Sequence, residues 1–98
     1  MGWPVSIPEG VLNSLGYAAL SKGEIQDAIA LFKQNVEANP NSANAYSSLA
    51  DGYSKAGQWT DAVRASDRAV ALATESGDPN LSSFIEQART MNEGLQRK

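Results

Sequence analysis

The sequence predicts an all-α fold built from antiparallel helix pairs, with about five helices in total. Three observations support this prediction. The chain resembles itself at a shift of 34 residues, its apolar residues follow helical spacing, and glycine or proline separates the apolar stretches. The residues that coincide at this shift are Leu12 and Tyr46, Leu15 and Leu49, Gly16 and Ala50, Ala19 and Tyr53, Gly23 and Gly57, Ala28 and Ala62, and Val36 and Val70.

The first predicted helix pair occupies residues of about 8–21 and 25–38. The stretch 6–9 fits a capping box, in which the Ser6 hydroxyl accepts from a free backbone N–H and Glu9 reaches back. Proline in this first turn costs little, because its missing N–H has no partner there. Gly23 can adopt the left-handed conformation that ends one helix and begins the turn into the next.

The second predicted pair occupies about 42–56 and 59–74. Asn41 or Ser42 can cap its first helix, because each side chain can accept a hydrogen bond from a free backbone N–H. Gly57 repeats the role of Gly23. The spacing therefore predicts a second unit with the same design as the first.

A fifth helix is predicted at about 79–96, with Asp78 as its N-cap. Its apolar residues form one stripe and the remainder is polar, as expected of a terminal helix that packs on its neighbour and faces water on the other side. The predicted stripe consists of Leu81, Phe84, Ile85, Ala88, Met91 and Leu95.

The two units resemble the tetratricopeptide repeat, whose pattern is W-x2-L-G-x2-Y, then A-x3-F, then P. The first unit keeps Leu15, Gly16, Ala28, Phe32 and Pro40, and the second keeps Leu49, Tyr53, Gly57, Ala62 and Ala69. Ser66 and Thr74 depart from the pattern, since the family has phenylalanine and proline there. The resemblance implies a single domain forming a right-handed superhelix, with repeats at 9–42 and 43–76 and a capping helix at 77–98.

The same positions predict how the helices pack. The small residues Gly16 and Ala50 let paired helices approach closely, and larger side chains fill the space around them; these are Leu15, Phe32, Leu49 and Tyr53. At Ser66, either the helix packs loosely or Phe84 fills the space. Trp59 is predicted to be half-buried and to pack within the fold, and the alternative is that it forms a contact site for a partner.

Composition excludes several functions. The net charge is -3 and the eight basic residues are scattered, which argues against a nucleic-acid binder. Histidine and cysteine are absent, so a Ser-His-Asp triad and a thiolate metal site are impossible. We therefore predict no enzymatic activity and no cofactor. No apolar run is long enough to insert into a membrane. The lack of cysteine favours the cytoplasm, although exported proteins can also lack it.

The resemblance implies a protein–protein interaction module that binds a peptide or protein surface in its concave groove. The groove is formed by the first helix of each pair and by the last helix. The candidate binding residues are Asn13, Tyr17, Asn44, Ser47, Asp51, Ser54, Lys55, Glu86 and Arg89. Some members clamp a C-terminal carboxylate with lysine and asparagine. Asn13, Tyr17 and Ser48 occupy three of those places here, so this clamp is mostly missing.

A second resemblance concerns residues 7–17 and 32–44. Both stretches are similar to repeat segments that follow an esterase or serine-hydrolase domain in some bacterial proteins. The alternative function is therefore an accessory domain that contacts an upstream domain or forms a homodimer, with no activity of its own. Trp3 and Val5 either fold onto Leu12 or remain exposed at such a junction.

Overall fold

The computed structural model describes residues 9–97, which form five α-helices joined by short turns. The helices are α1 Glu9–Ser21, α2 Ile25–Ala38, α3 Ala43–Lys55, α4 Trp59–Ser76 and α5 Leu81–Arg97. The all-α prediction is confirmed, and each helix end lies within two residues of its predicted position. The predictions for Ser6, Trp3 and Val5 lie outside the described residues.

A glycine makes three of the four turns between the helices. Gly23 has a φ of 81°, Gly57 a φ of 75° and Gly77 a φ of 67°. This left-handed conformation strains residues that carry a Cβ, and glycine adopts it freely. Gly23 and Gly57 lie at equivalent places of the two pairs, as predicted, and each sends the chain back along the helix it has just left.

A side-chain cap fixes the start of α3. Ser42 is the N-cap of α3, and its hydroxyl oxygen accepts from the backbone N–H of Ala45 at 3.1 Å. The same hydroxyl donates to Glu9 Oε2 at 2.5 Å, which ties the start of α1 to the start of α3. The prediction that Asp78 is the N-cap of α5 is wrong: its carboxylate accepts from the backbone N–H of Asn80 at 2.8 Å, which lies before the helix, and α5 begins at Leu81, two residues later than predicted.

The end of α4 is two residues later than predicted. Thr74 stands where the repeat pattern has proline, and it keeps the backbone N–H that proline lacks. Its hydroxyl donates to the Val70 carbonyl at 2.7 Å within the helix. The helix consequently continues to Ser76 and ends at Gly77.

The core of the first pair centres on Phe32, whose side chain is fully buried. A Cβ added to Gly16 would lie 2.2 Å from the Phe32 ring, and one added to Gly52 would lie 3.0 Å from it. The ring therefore fits between α1 and α3 only because both positions lack a side chain. The close approach predicted at Gly16 is present, and Gly52 shares this role.

Two residues predicted in the apolar stripes are not buried. Leu15 is 49% exposed and Ile85 is 41% exposed. The counterpart of Leu15 is Leu49, which is only 7% exposed because α2 packs against α3. Among residues 9–97, no helix occupies the corresponding side of α1. Ile85 corresponds to Ala50, a position that faces the second helix of its pair, and no described helix follows α5.

Ser66 is fully buried, and its hydroxyl donates to the Val63 carbonyl at 3.0 Å. This burial argues against loose packing at that position. Phe84 lies in a second core cluster, one turn further along α4. The buried members of this cluster are Ala43, Ala69, Leu72, Ala73 and Phe84.

Trp59 packs on the last helix. A Cβ added to Gly94 would lie 2.4 Å from the indole ring, so glycine at this position lets the ring lie against the α5 backbone. The indole is half-buried and contacts the main core cluster. Trp59 thus has the predicted packing role and holds the end of α5 on the start of α4.

The helix contacts define an inner and an outer side. Helix α1 contacts α3 and α3 contacts α5, whereas α2 and α4 do not contact each other. The first helices of the pairs are therefore closer together than the second helices. This arrangement curves the stack, and it places α1, α3 and α5 on what we call the concave side.

Candidate functional site

Polar side chains on the concave side bond to one another across three helices. Tyr17 on α1 donates its hydroxyl hydrogen to Asp51 Oδ2 on α3 at 2.5 Å. Gln87 on α5 donates from Nε2 to Asp51 Oδ1 at 3.0 Å. Each oxygen of the Asp51 carboxylate thus accepts one hydrogen bond, and the carboxylate links α1, α3 and α5.

Further hydrogen bonds extend this network. Ser47 donates its hydroxyl hydrogen to Gln87 Oε1 at 2.9 Å, and Gln87 Nε2 donates to the Ser47 carbonyl at 2.9 Å. Ser48 donates to Asn13 Oδ1, which joins α3 to α1 a second time. Because Asn13 and Ser47 already have partners, these two side chains are better suited to fixing the helices than to binding a peptide backbone.

Tyr17 connects the concave side to the core. Its ring packs edge-on against Phe32, with ring centroids 5.0 Å apart and an interplanar angle of 63°. Burial is the main cause that raises the pKa of Tyr17 to about 12, and the hydrogen bond to Asp51 adds to the rise. The hydroxyl therefore stays protonated and remains a donor to Asp51 throughout the neutral pH range.

The other candidate residues are placed differently. Ser54 donates to the backbone carbonyl of Asp51 at 2.9 Å, so its hydroxyl serves its own helix. Asn44 and Lys55 are exposed at opposite ends of α3. Glu86 and Arg89 form an exposed ion pair with each other at 2.8 Å, one turn apart on α5.

Gln87 is the residue that sequence reasoning missed. The repeat register, with one extra residue in the turn before α5, assigned the position facing Asp51 to Glu86. The structure instead places Gln87 against Ser47 and Asp51. Glu86 holds the repeat position equivalent to Asp51, and Gln87 beside it makes the bond, so repeat spacing gave no signal for this contact.

A cavity opens on the concave side where α1 and α3 end. Its volume is about 440 Å³, and it is lined by Tyr17, Leu20, Ser21, Asp51 and Lys55. Binding pockets commonly measure about 300–1,000 Å³. Within residues 9–97 the single ion pair is the one on α5, so the Lys55 ammonium has no carboxylate partner there. The cavity thus combines a fixed polar wall, an apolar surface and an unpaired cation.

The model of the tetratricopeptide repeat matches residues 19–88, which is more than half of the chain. The chain belongs to the tetratricopeptide-repeat family. Its α-helix pairs, the glycine turns and the close contact at Gly16 are the family's features as they occur here. Repeats of this family generally form protein–protein interaction modules, and this chain is a module of that general kind.

Two solved structures of a tetratricopeptide repeat domain protein from Salinibacter ruber are similar to this tetratricopeptide-repeat chain. The solution NMR structure has a TM-score of 0.78 at 22% identity, covering 89% of this chain and 89% of that one. The crystal structure has a TM-score of 0.76 at 22% identity, covering 89% and 98%. At this identity the likeness shows the fold alone. No curated protein matches the chain.

Two kinds of feature are absent from the described part of the tetratricopeptide-repeat domain. Residues 9–97 hold no cluster of three or more acidic, histidine or cysteine side chains that could bind a metal ion. In the same range, no helix is both long and apolar enough to cross a membrane.

Proposed function

We propose that this tetratricopeptide-repeat chain binds a polypeptide partner along the concave side formed by α1, α3 and α5. The observation that carries the proposal is the cavity between the ends of α1 and α3, which is lined by Tyr17 and Lys55 among others. It lies on the side where the first helices of the repeats meet. Its size suits one or two side chains of a bound segment.

The hydrogen-bond network supports binding by keeping this wall rigid. Asp51 is held from two sides by Tyr17 and Gln87, so the cavity wall does not have to order itself when a partner arrives. Binding then loses less conformational entropy than it would on a mobile surface. In this proposal Tyr17, Asp51 and Gln87 are positioning residues.

The groups that can contact a partner are those without a hydrogen bond or ion pair among residues 9–97. Leu20 and the face of the Tyr17 ring offer apolar contact, and aromatic side chains are frequent centres of binding energy. Lys55 offers a cation at the cavity rim. Asn44 is exposed near the other end of α3, where it can contact a segment that runs along the helix.

A displayed peptide library selected on the immobilised chain tests this proposal. Selected peptides are then titrated against Ser21→Arg, which fills the cavity from an exposed position at the end of α1. A cation at a helix C-terminus does not oppose the helix dipole, so the fold is expected to persist. The matched control is Ala30→Arg, an exposed position on α2.

We expect Ser21→Arg to weaken binding about tenfold, equivalent to about 1.4 kcal/mol, and Ala30→Arg to leave it unchanged. Equal binding by both variants would contradict the proposal. So would a selection that yields no peptide with saturable binding, because the cavity would then have no polypeptide occupant.

A second candidate function, stacking on another helix or self-association, is favoured by one observation on α1. Val11 is 47% exposed and Leu15 is 49% exposed. Their counterparts in the second repeat, Ala45 and Leu49, are covered, at 0% and 7%. In the second repeat, α2 covers the equivalent positions. The exposed apolar side chains of α1 could therefore pack against a further helix, either from a second copy or from an adjoining domain.

Sedimentation equilibrium of the chain and of Leu15→Glu tests self-association. A concentration-dependent dimer that Leu15→Glu abolishes is the expected result for a second copy on this face. A monomer at all concentrations would remove self-association and leave the adjoining domain. The proposal that this domain is an esterase or serine hydrolase rests on the sequence resemblance alone.

A further inference from the structure

We propose that the outer side of the α3–α4 pair carries a second docking surface, which takes an acidic polypeptide segment bearing one apolar side chain. A cavity of about 210 Å³ lies there. It is lined by Tyr46, Leu49 and Tyr53 of α3 and by Asp61, Arg64 and Ala65 of α4. This surface is distinct from the concave side, and the proposal stands independently of the proposed function.

Helical geometry separates the two surfaces. With 3.6 residues per turn, Tyr46 and Tyr53 point to a different side of α3 from Ser47 and Asp51, which form the concave network. The second helices α2 and α4 do not contact each other, so part of α3 is reachable between them. The cavity is lined by α3 and α4 alone.

The cavity is too small for most ligands but suits one side chain. Pockets for small molecules usually start near 300 Å³. The half-buried rings of Tyr46 and Tyr53 and the side chain of Leu49 provide apolar contact inside it. Tyrosine and arginine are also the residues that most often carry binding energy at protein interfaces, together with tryptophan. A single apolar side chain protruding from a partner protein fits these features.

Two arginines give this surface its charge preference. Arg64 lines the cavity, and the guanidinium of Arg68, one turn further along α4, lies 6.0 Å from the centroid of the Tyr46 ring. Both are exposed, and neither belongs to an ion pair within residues 9–97. This surface thus offers two guanidinium groups near an aromatic ring, with Asp61 and Asp67 as the acidic residues of the same stretch of α4. Guanidinium groups bind carboxylates through paired hydrogen bonds, so an acidic segment is the complementary partner.

Asp61 is the one carboxylate in the cavity lining. Its negative charge repels an acidic group of a partner from the cavity interior. The apolar side chain therefore occupies the interior, and the acidic residues beside it remain at the rim with Arg64 and Arg68. This order defines the proposed segment as an apolar residue flanked by acidic ones.

The test uses the intact chain and a defined probe. The probe is a seven-residue peptide with a central leucine between glutamates, acetylated and amidated so that it carries no terminal charge. Two matched peptides replace the glutamates by glutamine or the leucine by alanine. Chemical shifts of backbone amides are followed by NMR during titration, since this method detects weak binding and locates it.

We expect the probe to shift the signals of Tyr46, Tyr53 and Arg64, and the matched peptides to bind less. Arg64→Gln and Arg68→Gln should each weaken binding about threefold to fivefold, as removal of one exposed ion pair does. Added salt should reduce affinity by screening the same contacts. The control Lys33→Gln removes an exposed cation from α2 and should change nothing.

Several results would overturn the inference. The probe and its glutamine version could bind equally, or produce no shifts at millimolar concentration. Shifts confined to Tyr17 and Lys55 would assign acidic segments to the concave side instead. Stronger shifts of the same α3–α4 signals by a single-stranded oligonucleotide would make the surface a general anion site. Melting curves verify that the arginine variants remain folded.

Discussion

Replacing Gly16 by alanine would place a methyl group inside the volume that the Phe32 ring occupies. The added Cβ would lie 2.2 Å from one ring carbon, well inside van der Waals contact. The ring cannot simply move away, because Gly52 already approaches it from α3, where a Cβ would lie 3.0 Å from it. Helix α1 must therefore shift outward, and this shift disturbs the contact between the first and second repeats.

Overpacking of a filled core costs about 1–3 kcal/mol, and this close approach argues for the upper part of that range. Alanine in place of glycine returns up to about 1 kcal/mol through its higher helix propensity. We therefore expect Gly16→Ala to lower the free energy of unfolding by about 1–2 kcal/mol. In a domain of this size, that change lowers the Tm by about 4–16 °C.

Urea unfolding followed by circular dichroism measures the effect directly. The matched control is Gly10→Ala on the same helix, where an added Cβ has no neighbour within 4 Å. It should keep or slightly raise stability. Adding Phe32→Leu to Gly16→Ala should cost less than the sum of the two single changes, since the smaller side chain relieves the clash. A Gly16→Ala chain at least as stable as the wild type would refute this packing argument.

Three further predictions concern other contacts. Gly94→Ala should lower the Tm by a similar amount, because its Cβ would lie 2.4 Å from the Trp59 indole, and thermal melting checks this. Tyr17→Phe removes the donor to Asp51 and should cost about 1 kcal/mol at neutral pH in urea unfolding. The pKa of Tyr17 is raised to about 12 in the folded state. The stabilisation that its protonated hydroxyl provides is therefore complete below about pH 10 and is lost as the pH rises to 12. Over that range, the free energy of unfolding should fall less for Tyr17→Phe than for the wild type. Ser42→Ala removes the N-cap of α3 and should cost about 1 kcal/mol by the same assay. Unchanged stability in any variant would contradict the role given to that residue.

The helices could be predicted from the sequence because local chemistry determines them. Gly23 and Gly57 favour turns because glycine adopts a positive φ freely. Ser42 favours a helix start because its hydroxyl can accept from a free backbone N–H. The error at the end of α4 has the same local origin. Thr74 stands where the family has proline, and its backbone N–H allows the helix to continue past the predicted end.

The burial of particular side chains was harder to predict, because it depends on which neighbours are present. Leu15 and Leu49 occupy equivalent repeat positions, yet one is exposed and the other is covered by α2. A repeat pattern identifies the apolar face of each helix, but whether that face is buried depends on which helices pack against it. Ile85 is exposed for the same reason at the other end of the stack.

The sequence could predict which residues lie on the concave side, but not the hydrogen bonds between them. Repeat spacing placed Tyr17 and Asp51 on the concave side, 34 residues apart, and they are hydrogen-bonded across it. The spacing could not show that these groups bind each other, or that Lys55 has no ion-pair partner among residues 9–97. Gln87 lies one residue beyond the position equivalent to Asp51, so the spacing did not select it.

The central claim is that the concave side of α1, α3 and α5 binds a polypeptide. Intermolecular nuclear Overhauser effects between the chain and a peptide selected on it test this claim most directly. We predict contacts from the peptide to Tyr17, Leu20 and Lys55 at the concave cavity. Contacts confined to the outer surfaces of α2 and α4, with none to these three residues, would contradict it.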